Sequence, residues 1–268
     1  MLVSMSAPRK AETLRIVSLA PSVTSILCAI GAKDCLVGVT PWCPDVAPVN
    51  RLPKVGDCWR LDSVTEIVKL KPTLVIGSVP FKAETLAKLL DHPLNFLAQN
   101  PRTLAEIERD IRLLGGIAGR RAQAARLVAK MRAEFTAVEK ESRNVARQLR
   151  VYCEAWPNPR ISSPPWVAEL VNLCGCKMVV TPGQRVSDEQ VAAAHPDVII
   201  VAWTATGDQA KFEKAYKVDA WRDLPAIRNR CVFVVRDELL NTPGPPLMQG
   251  AKELLRLLQR AAAAENYK

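Results

Sequence analysis

The sequence predicts an α/β protein built from two similar halves with mainly parallel sheets, joined by one long helix, and three observations carry that prediction. Short β-type runs alternate with helical stretches along the whole chain, the pattern left by strand–helix units. Segment 63–76 matches segment 187–200 at a constant offset of 124 positions. Each copy opens on a serine (Ser63, Ser187) with Glu66 or Gln190 three residues later, then meets a proline (Pro72, Pro196) before an apolar run. That is a capping box opening a short helix that a proline stops ahead of a buried strand. Between the halves, Gly119 to Leu149 holds no proline and no internal glycine, and Val128, Met131, Phe135, Val138, Val145 and Leu149 recur at spacings of three, four or seven. A helix over 119–149 would be about 46 Å long and stiff, so it would span both halves.

Taken in order, Leu14 to Leu19 alternates like a strand, Ala20-Pro21-Ser22 makes a turn, and Ser22 is placed to cap a helix over Val23 to Ile30. Further strands are predicted at 36–40, 73–77 and 94–97, then at 150–154, 177–180, 197–202 and 231–235. The intervening helices begin near Ser63, Ala83, Thr103, Pro164, Ser187 and Pro246. The expected organisation is an extension over 1–12, a first α/β lobe over 13–118, the joining helix over 119–149 and a second lobe over 150–268.

Composition narrows the function. With 268 residues, 49% apolar and 24% charged, the chain can bury real cores, which excludes disordered and fibrous classes. Its longest apolar runs, such as Asp197 to Trp203, are too short to span a bilayer. The net charge of +10 is concentrated between Arg109 and Arg150 at helical spacing and reads as a solvated helix face. No run interleaves basic and aromatic residues, so no nucleic-acid partner is expected. Eight cysteines show neither a disulfide-scaffold spacing nor a zinc motif, and with two histidines in the chain no metal site is expected. No nucleophile elbow, Walker loop, HExxH or dinucleotide fingerprint occurs, so no catalytic residues are expected. Leu14 to Gly31 breaks into strand, turn and helix and carries Arg15, unlike an export signal core. The expectation is therefore a cytoplasmic protein as written, or a periplasmic or cell-surface one if the start lies elsewhere or a signal was trimmed.

Several ordered pieces resemble a known family. They are Arg15-Ile16-Val17-Ser18-Leu19-Ala20-Pro21-Ser22-Val23-Thr24, Leu36-Val37-Gly38-Val39-Thr40, Val55-Gly56 ahead of Trp59, and Leu70-Lys71-Pro72-Thr73-Leu74-Val75. In the second half they are Glu154-Ala155-Trp156, Trp166-Val167-Ala168-Glu169-Leu170-Val171 and Asn241-Thr242-Pro243-Gly244-Pro245. Together, over about Arg15 to Leu258, they resemble the helical-backbone substrate-binding proteins of ABC importers, a class III periplasmic-binding-protein fold, and within it the cobalamin-binding branch. The resemblance implies two Rossmann-like lobes facing each other across a ligand cleft with the long helix at the back. It also implies that the ligand is bound and not chemically altered.

Each candidate residue carries a structural reading beside the ligand one. Trp59, in the turn-like stretch Gly56 to Arg60, either covers the lobe's edge or forms a flat wall for a large ring, as its spacing before Pro72 resembles in the family. Trp42 and Cys43 follow the second strand, packed in a loop or turned to a ligand, with Cys43 a candidate axial thiolate for corrinoid cobalt. Pro21 and Ser22 open the first helix, where backbone N–H groups can also hold an amide or anion. Glu154, Trp156 and Trp203 end strands of the second half, and Trp166 opens a helix there. Asn241 and Pro243 lie in a rigid loop that the family places at the cleft rim. The family's two permease-docking acids correspond to Glu189 and, one position displaced, Glu66, because Thr65 stands where the first acid would be.

These readings converge on a monomeric, non-enzymatic binding protein for cobalamin or a related corrinoid, with no cofactor of its own. It would serve an ABC permease or, in the cytoplasm, carry corrinoid. An iron–siderophore or haem-like chelate is the alternative ligand, and an enzyme of corrinoid metabolism on the same fold is the alternative class.

Overall fold

The computed structural model describes residues 13–143, 148–204, 210 and 212–265. The first sheet contains β1 (Ile16–Ser18), β2 (Leu36–Gly38), β3 (Leu74–Ser78) and β4 (Phe96–Gln99) in the order β2-β1-β3-β4, all parallel. The second contains β5 (Arg150–Pro157), β6 (Arg160–Ser162), β7 (Lys177–Met178), β8 (Val198–Val201) and β9 (Val232–Val234). Here β5 pairs in parallel with β7 and β8, and antiparallel with β6, while β9 extends the sheet beyond β8. Eight of these strands fall on the expected runs. The ninth, β6, is a three-residue return after Asn158-Pro159, too short and polar to register as a strand in sequence.

The helices are α1 (Pro21–Ala29), α2 (Thr65–Lys69), α3 (Ala83–Leu90), α4 (Leu104–Ile117) and α5 (Arg121–Ser142) in the first part of the chain. They continue as α6 (Pro165–Leu173), α7 (Asp188–Ala193), α8 (Pro225–Arg228), α9 (Asp237–Leu240) and α10 (Leu247–Glu265). Both sheets are covered on both faces, which is why their strands are continuously apolar. Ile16 and Ile76 face one cluster, whereas their neighbours Val17 and Val75 face another, as the pleat requires.

The joining helix, α5, is shorter than expected: its 22 residues run about 33 Å rather than the 46 Å of an unbroken 119–149 helix. Ser142 closes its last turn by donating its hydroxyl to the Glu139 carbonyl. Val145 lies outside the described residues, and Leu149 is buried in the approach to β5 rather than on a helix. The apolar face of α5, from Ala124 through Leu127, Val128, Met131, Phe135 and Val138, packs against α4 on one side and α6 and α10 on the other. A Cβ on Gly115 of α4 would run into the Ala124 methyl, so that glycine sets how closely α4 and α5 approach. The result is a single hydrophobic cluster running from β1 and α1 through α4 and α5 to α6, β8 and α10.

Two further ties cross between the halves. Glu169 on α6 accepts the Leu104 N–H at 3.0 Å, completing the start of α4, where Thr103 already accepts from the Glu106 N–H at 3.1 Å. The loop at Gly244 seats on α1, where an added Cβ would lie 3.2 Å from Ser25 Oγ and 3.3 Å from Ile26 Cγ1.

Two capping expectations are corrected. Ser22 does not cap α1. The helix starts at Pro21, whose fixed φ suits the first helical position, so Ser22 falls inside the first turn and its carbonyl accepts the Ser25 hydroxyl at 2.8 Å. Of the two repeated capping boxes, the second is present: Ser187 Oγ accepts the Gln190 N–H at 3.2 Å and Gln190 Oε1 accepts the Ser187 N–H at 2.8 Å. The first is absent. Val64 already has helical backbone angles ahead of α2, Ser63 takes only the Thr65 N–H, and Glu66 turns outward to Lys69 at 2.7 Å.

Candidate functional site

In the first lobe the segments following β2 and preceding α2 meet over one carboxylate. Asp57 Oδ1 accepts the backbone N–H groups of Trp59 at 2.8 Å and Arg60 at 2.6 Å, an Asx-type turn. Its other oxygen, Oδ2, accepts the Trp42 indole N–H at 3.3 Å. The turn is pinned from below as well, since Lys82 N–H donates to the Cys58 carbonyl at 3.0 Å and Thr85 Oγ1 to the Trp59 carbonyl at 3.3 Å. On this fixed backbone Trp59 stays 57% exposed and Trp42 42% exposed. A tryptophan held that open keeps much of its ring available to a partner.

Cys43, next to Trp42, goes the other way. It is fully buried and its sulfur shares hydrogen bonds with Thr24 Oγ1 at 3.0 Å and Thr40 Oγ1 at 3.1 Å. Burial pushes its thiol up, and the threonine contacts only partly offset that. The axial-thiolate expectation is therefore corrected: Cys43 is a protonated, inward thiol.

In the second lobe the centre is Glu154, and it is a buried hub rather than a surface carboxylate. Glu154 Oε2 accepts from Tyr152 Oη at 2.8 Å and from the Arg160 guanidinium, while Oε1 accepts the Trp203 indole N–H at 2.8 Å. Arg160 Nε reaches Asp188 Oδ1 at 2.7 Å, and its guanidinium lies 4.2 Å from the Trp221 ring centre. Burial opposes the Arg160 charge, but Glu154 and Asp188 outweigh it and hold the group above its ordinary value. Burial also drives the Tyr152 phenol strongly upward, with the Glu154 charge adding to the effect. An ion pair so enclosed is sustained only because nearly every lone pair and N–H is met.

Three other candidates of the second lobe are buried. Trp203 is 6% exposed, with its indole held by Glu154, and Trp166 is 3% exposed, donating to the Leu240 carbonyl at 2.8 Å. Both are core side chains, so Trp166 and Glu154 do not present free faces to a ligand. Pro243 is also buried, in the loop that Gly244 seats on α1, which corrects its placement at an open rim. Asn241 binds that loop to the end of β8, donating to the Ala202 carbonyl at 2.7 Å, and its buried Oδ1 has no hydrogen-bond partner among the described residues. The exposed tryptophan of this lobe among the described residues is Trp156, 39% exposed at the end of β5, its N–H turned to the Asn158 carbonyl at 2.8 Å. Pro21, half-buried, opens α1 at the carboxyl end of β1.

Sequence reasoning missed Asp57, Tyr152, Arg160 and Asp188. The D-x-W spacing around Asp57 is an Asx-turn signal, and Tyr152 and Glu154 share a strand face by alternation. Arg160 and Asp188 are 28 positions apart and carried no local signal. A depression of about 560 Å³ lined by Arg112, Leu113, Gly116, Ile117 and Arg121 marks the end of α4. Because α4 runs back from the carboxyl end of β4, that depression lies at the opposite end of the sheet from the indoles. Among the described residues no cluster of histidine, cysteine or carboxylate side chains is arranged to hold a metal ion, and no helix is long and apolar enough to cross a membrane.

Comparison with known proteins adds four findings. The family model described as periplasmic binding protein matches residues 16–239. The chain is 28% identical to an uncharacterized ABC transporter substrate-binding lipoprotein, YvrC, of Bacillus subtilis (strain 168), covering 91% of this chain and 80% of that one. It is 26% identical to a vitamin B12-binding protein of Vibrio parahaemolyticus, covering 90% and 87%. Among solved structures, the periplasmic heme-binding protein RhuT from Roseiflexus sp. RS-1 superposes with a TM-score of 0.78 at 27% identity, covering 94% of this chain and all of that one.

Proposed function

From the premise that this chain belongs to the periplasmic binding protein family, we propose that it is the substrate-binding component of an ABC importer and carries a corrinoid such as cobalamin between its lobes. The observation that carries the reading is the pair of exposed indoles, Trp42 and Trp59, fixed by one carboxylate beside a strand's carboxyl end. Ligands of two-lobed α/β proteins bind at such ends, and flat aromatic faces suit a large ring system. Trp156 is the matching surface of the second lobe. The ligand is carried unaltered.

The vitamin B12-binding relative supports a corrinoid, and the heme-binding structural neighbour supports a haem as the second reading. The corrinoid asks less of the protein. A haem asks for an axial ligand to iron, and with Cys43 and Tyr152 buried and protonated and His92 and His195 placed after helices α3 and α7, the exposed Tyr216 is the tyrosine among the described residues that would have to supply it. A corrinoid brings its own lower ligand and a neutral amide rim.

The relatives named as a lipoprotein and as periplasmic support an extracytoplasmic protein in place of the cytoplasmic expectation. Six of the eight free cysteines are buried, which shields them in an oxidising compartment. Docking to a permease would use Glu189, exposed at the start of α7 and kept charged by its Ser187 hydrogen bond, and Glu66, exposed on α2.

Titration with hydroxocobalamin and with haemin, followed by tryptophan quenching and the ligand's absorption spectrum, tests the reading. One-to-one saturation by hydroxocobalamin, weakened about tenfold or more in Trp59→Ala, is expected. Saturation by haemin alone would transfer the cleft to the second reading, and binding of neither at about 50 µM would end both.

A further inference from the structure

We propose that Asp57 is the positioning residue of the ligand platform, a single carboxylate that sets the attitude of both Trp42 and Trp59. This deepens the ring-binding reading of the same site and rests on it for the ligand.

Three hydrogen bonds converge on Asp57, and they act on different parts of the platform. Oδ1 gathers the N–H groups of Trp59 and Arg60, which fixes the backbone from which the Trp59 indole projects. Oδ2 takes the indole N–H of Trp42, which arrives from the other segment, 15 positions away. A tryptophan side chain has two rotatable bonds, so tying its N–H to a fixed acceptor leaves its ring little freedom to turn. The Asp57 N–H donates to the Arg60 carbonyl at 3.0 Å, so the acid is itself anchored in the turn it organises.

The cost of this arrangement falls on the apo protein. Large apolar rings are held in water rather than packed, and the turn beneath them is sewn to the start of α3 through Lys82 and Thr85. Cys58 plugs the turn into the lobe, its sulfur lying so near Gly77 that no Cβ would fit there. Such bracing contributes to affinity by removing the ordering cost at the moment of binding. A carboxylate suits the post better than a neutral acceptor, because N–H bonds to a charged oxygen are the stronger kind.

The test compares Asp57→Ala, Asp57→Asn, Trp42→Phe and the double variant Trp42→Phe/Asp57→Ala, each confirmed folded by its thermal transition. In the apo protein, Asp57→Ala should speed amide hydrogen exchange at Trp59 and Arg60 and lower tryptophan fluorescence anisotropy; unchanged exchange and anisotropy would overturn the proposal whatever the ligand proves to be. With hydroxocobalamin or haemin as probe, whichever the wild type binds, Asp57→Ala should weaken binding about ten- to hundredfold, mainly through faster dissociation. Asp57→Asn, which keeps one acceptor oxygen but sets a donor amide against the remaining N–H, should recover only part of that loss. In the Trp42→Phe background the Asp57→Ala effect should shrink, because half of what the carboxylate holds is gone. Full affinity in Asp57→Ala alongside loss in Trp59→Ala would sink the positioning role and leave the ring-binding reading standing.

Discussion

The two lobes use tryptophan in opposite ways. In the first, Trp42 and Trp59 stand in solvent on a carboxylate turn that is itself half-buried. In the second, Trp203 and Trp221 are drawn beneath the surface around the Glu154–Arg160 pair, leaving Trp156 as the exposed tryptophan among the described residues. Each lobe therefore has one acid that organises indoles. Asp57 holds Trp42 and Trp59 outward, and Glu154 holds Trp203 inward, while Trp221 lies beneath the Arg160 guanidinium and donates its N–H to the Asp188 carbonyl. The first lobe leaves its indoles open to solvent, while the second buries most of its own.

The sharpest way to break that contrast is to remove each acid in turn. Glu154→Ala leaves the Arg160 charge buried beside two unmet donors, and chemical denaturation should show a loss of about 3–5 kcal/mol. Asp57→Ala should cost within about 1 kcal/mol by the same measurement, because its donors regain water. Equal losses would mean that Asp57 is structural after all. A smaller difference is expected at the repeated serines: Ser187→Ala removes a genuine cap and should cost about 1 kcal/mol, whereas Ser63→Ala should stay within about 0.5 kcal/mol.

The smallest effect concerns Asp110 on α4, whose half-buried carboxyl accepts no hydrogen bond among the described residues and which burial pushes up to about 6 from 3.8. An acid whose folded-state value is raised binds more protons folded than unfolded across that interval. Stability is then fully present below about pH 4 and declines as pH rises towards about 6. Asp110→Asn should flatten this slope and stabilise the protein at pH 7 by under about 1 kcal/mol, solvent screening included. Melting temperatures of both proteins between pH 4 and 7 would show it, and parallel profiles would refute it.

The parallel strands were legible in the sequence because burial on both faces leaves unbroken apolar runs, and the joining helix because its apolar residues recur on one face. Its end was not, since Leu149 fits a helical spacing yet belongs to the approach to a strand. The matched segments 63–76 and 187–200 suggested two equal caps, but one residue, Val64, had already entered the helix and left Ser63 without its role. Exposure of a tryptophan is decided by partners distant in sequence: 49 positions separate Trp203 from Glu154, and 74 separate Trp166 from Leu240. Nothing local distinguishes those residues from Trp59. The Asp57 turn was the exception, spelled out within four consecutive residues.

The bond from Glu169 to the start of α4 and the seat of Gly244 on α1 both cross from one repeat to the other, and the Gly115–Ala124 approach seals the first repeat against the joining helix. A chain assembled from two like units would ordinarily permit either unit to be exchanged with a relative's. Here each unit's inner surface is finished only by the other, so recombination at the 124-residue period would cut through shared interior. The smallest piece that evolution or an engineer can trade intact is the whole protein.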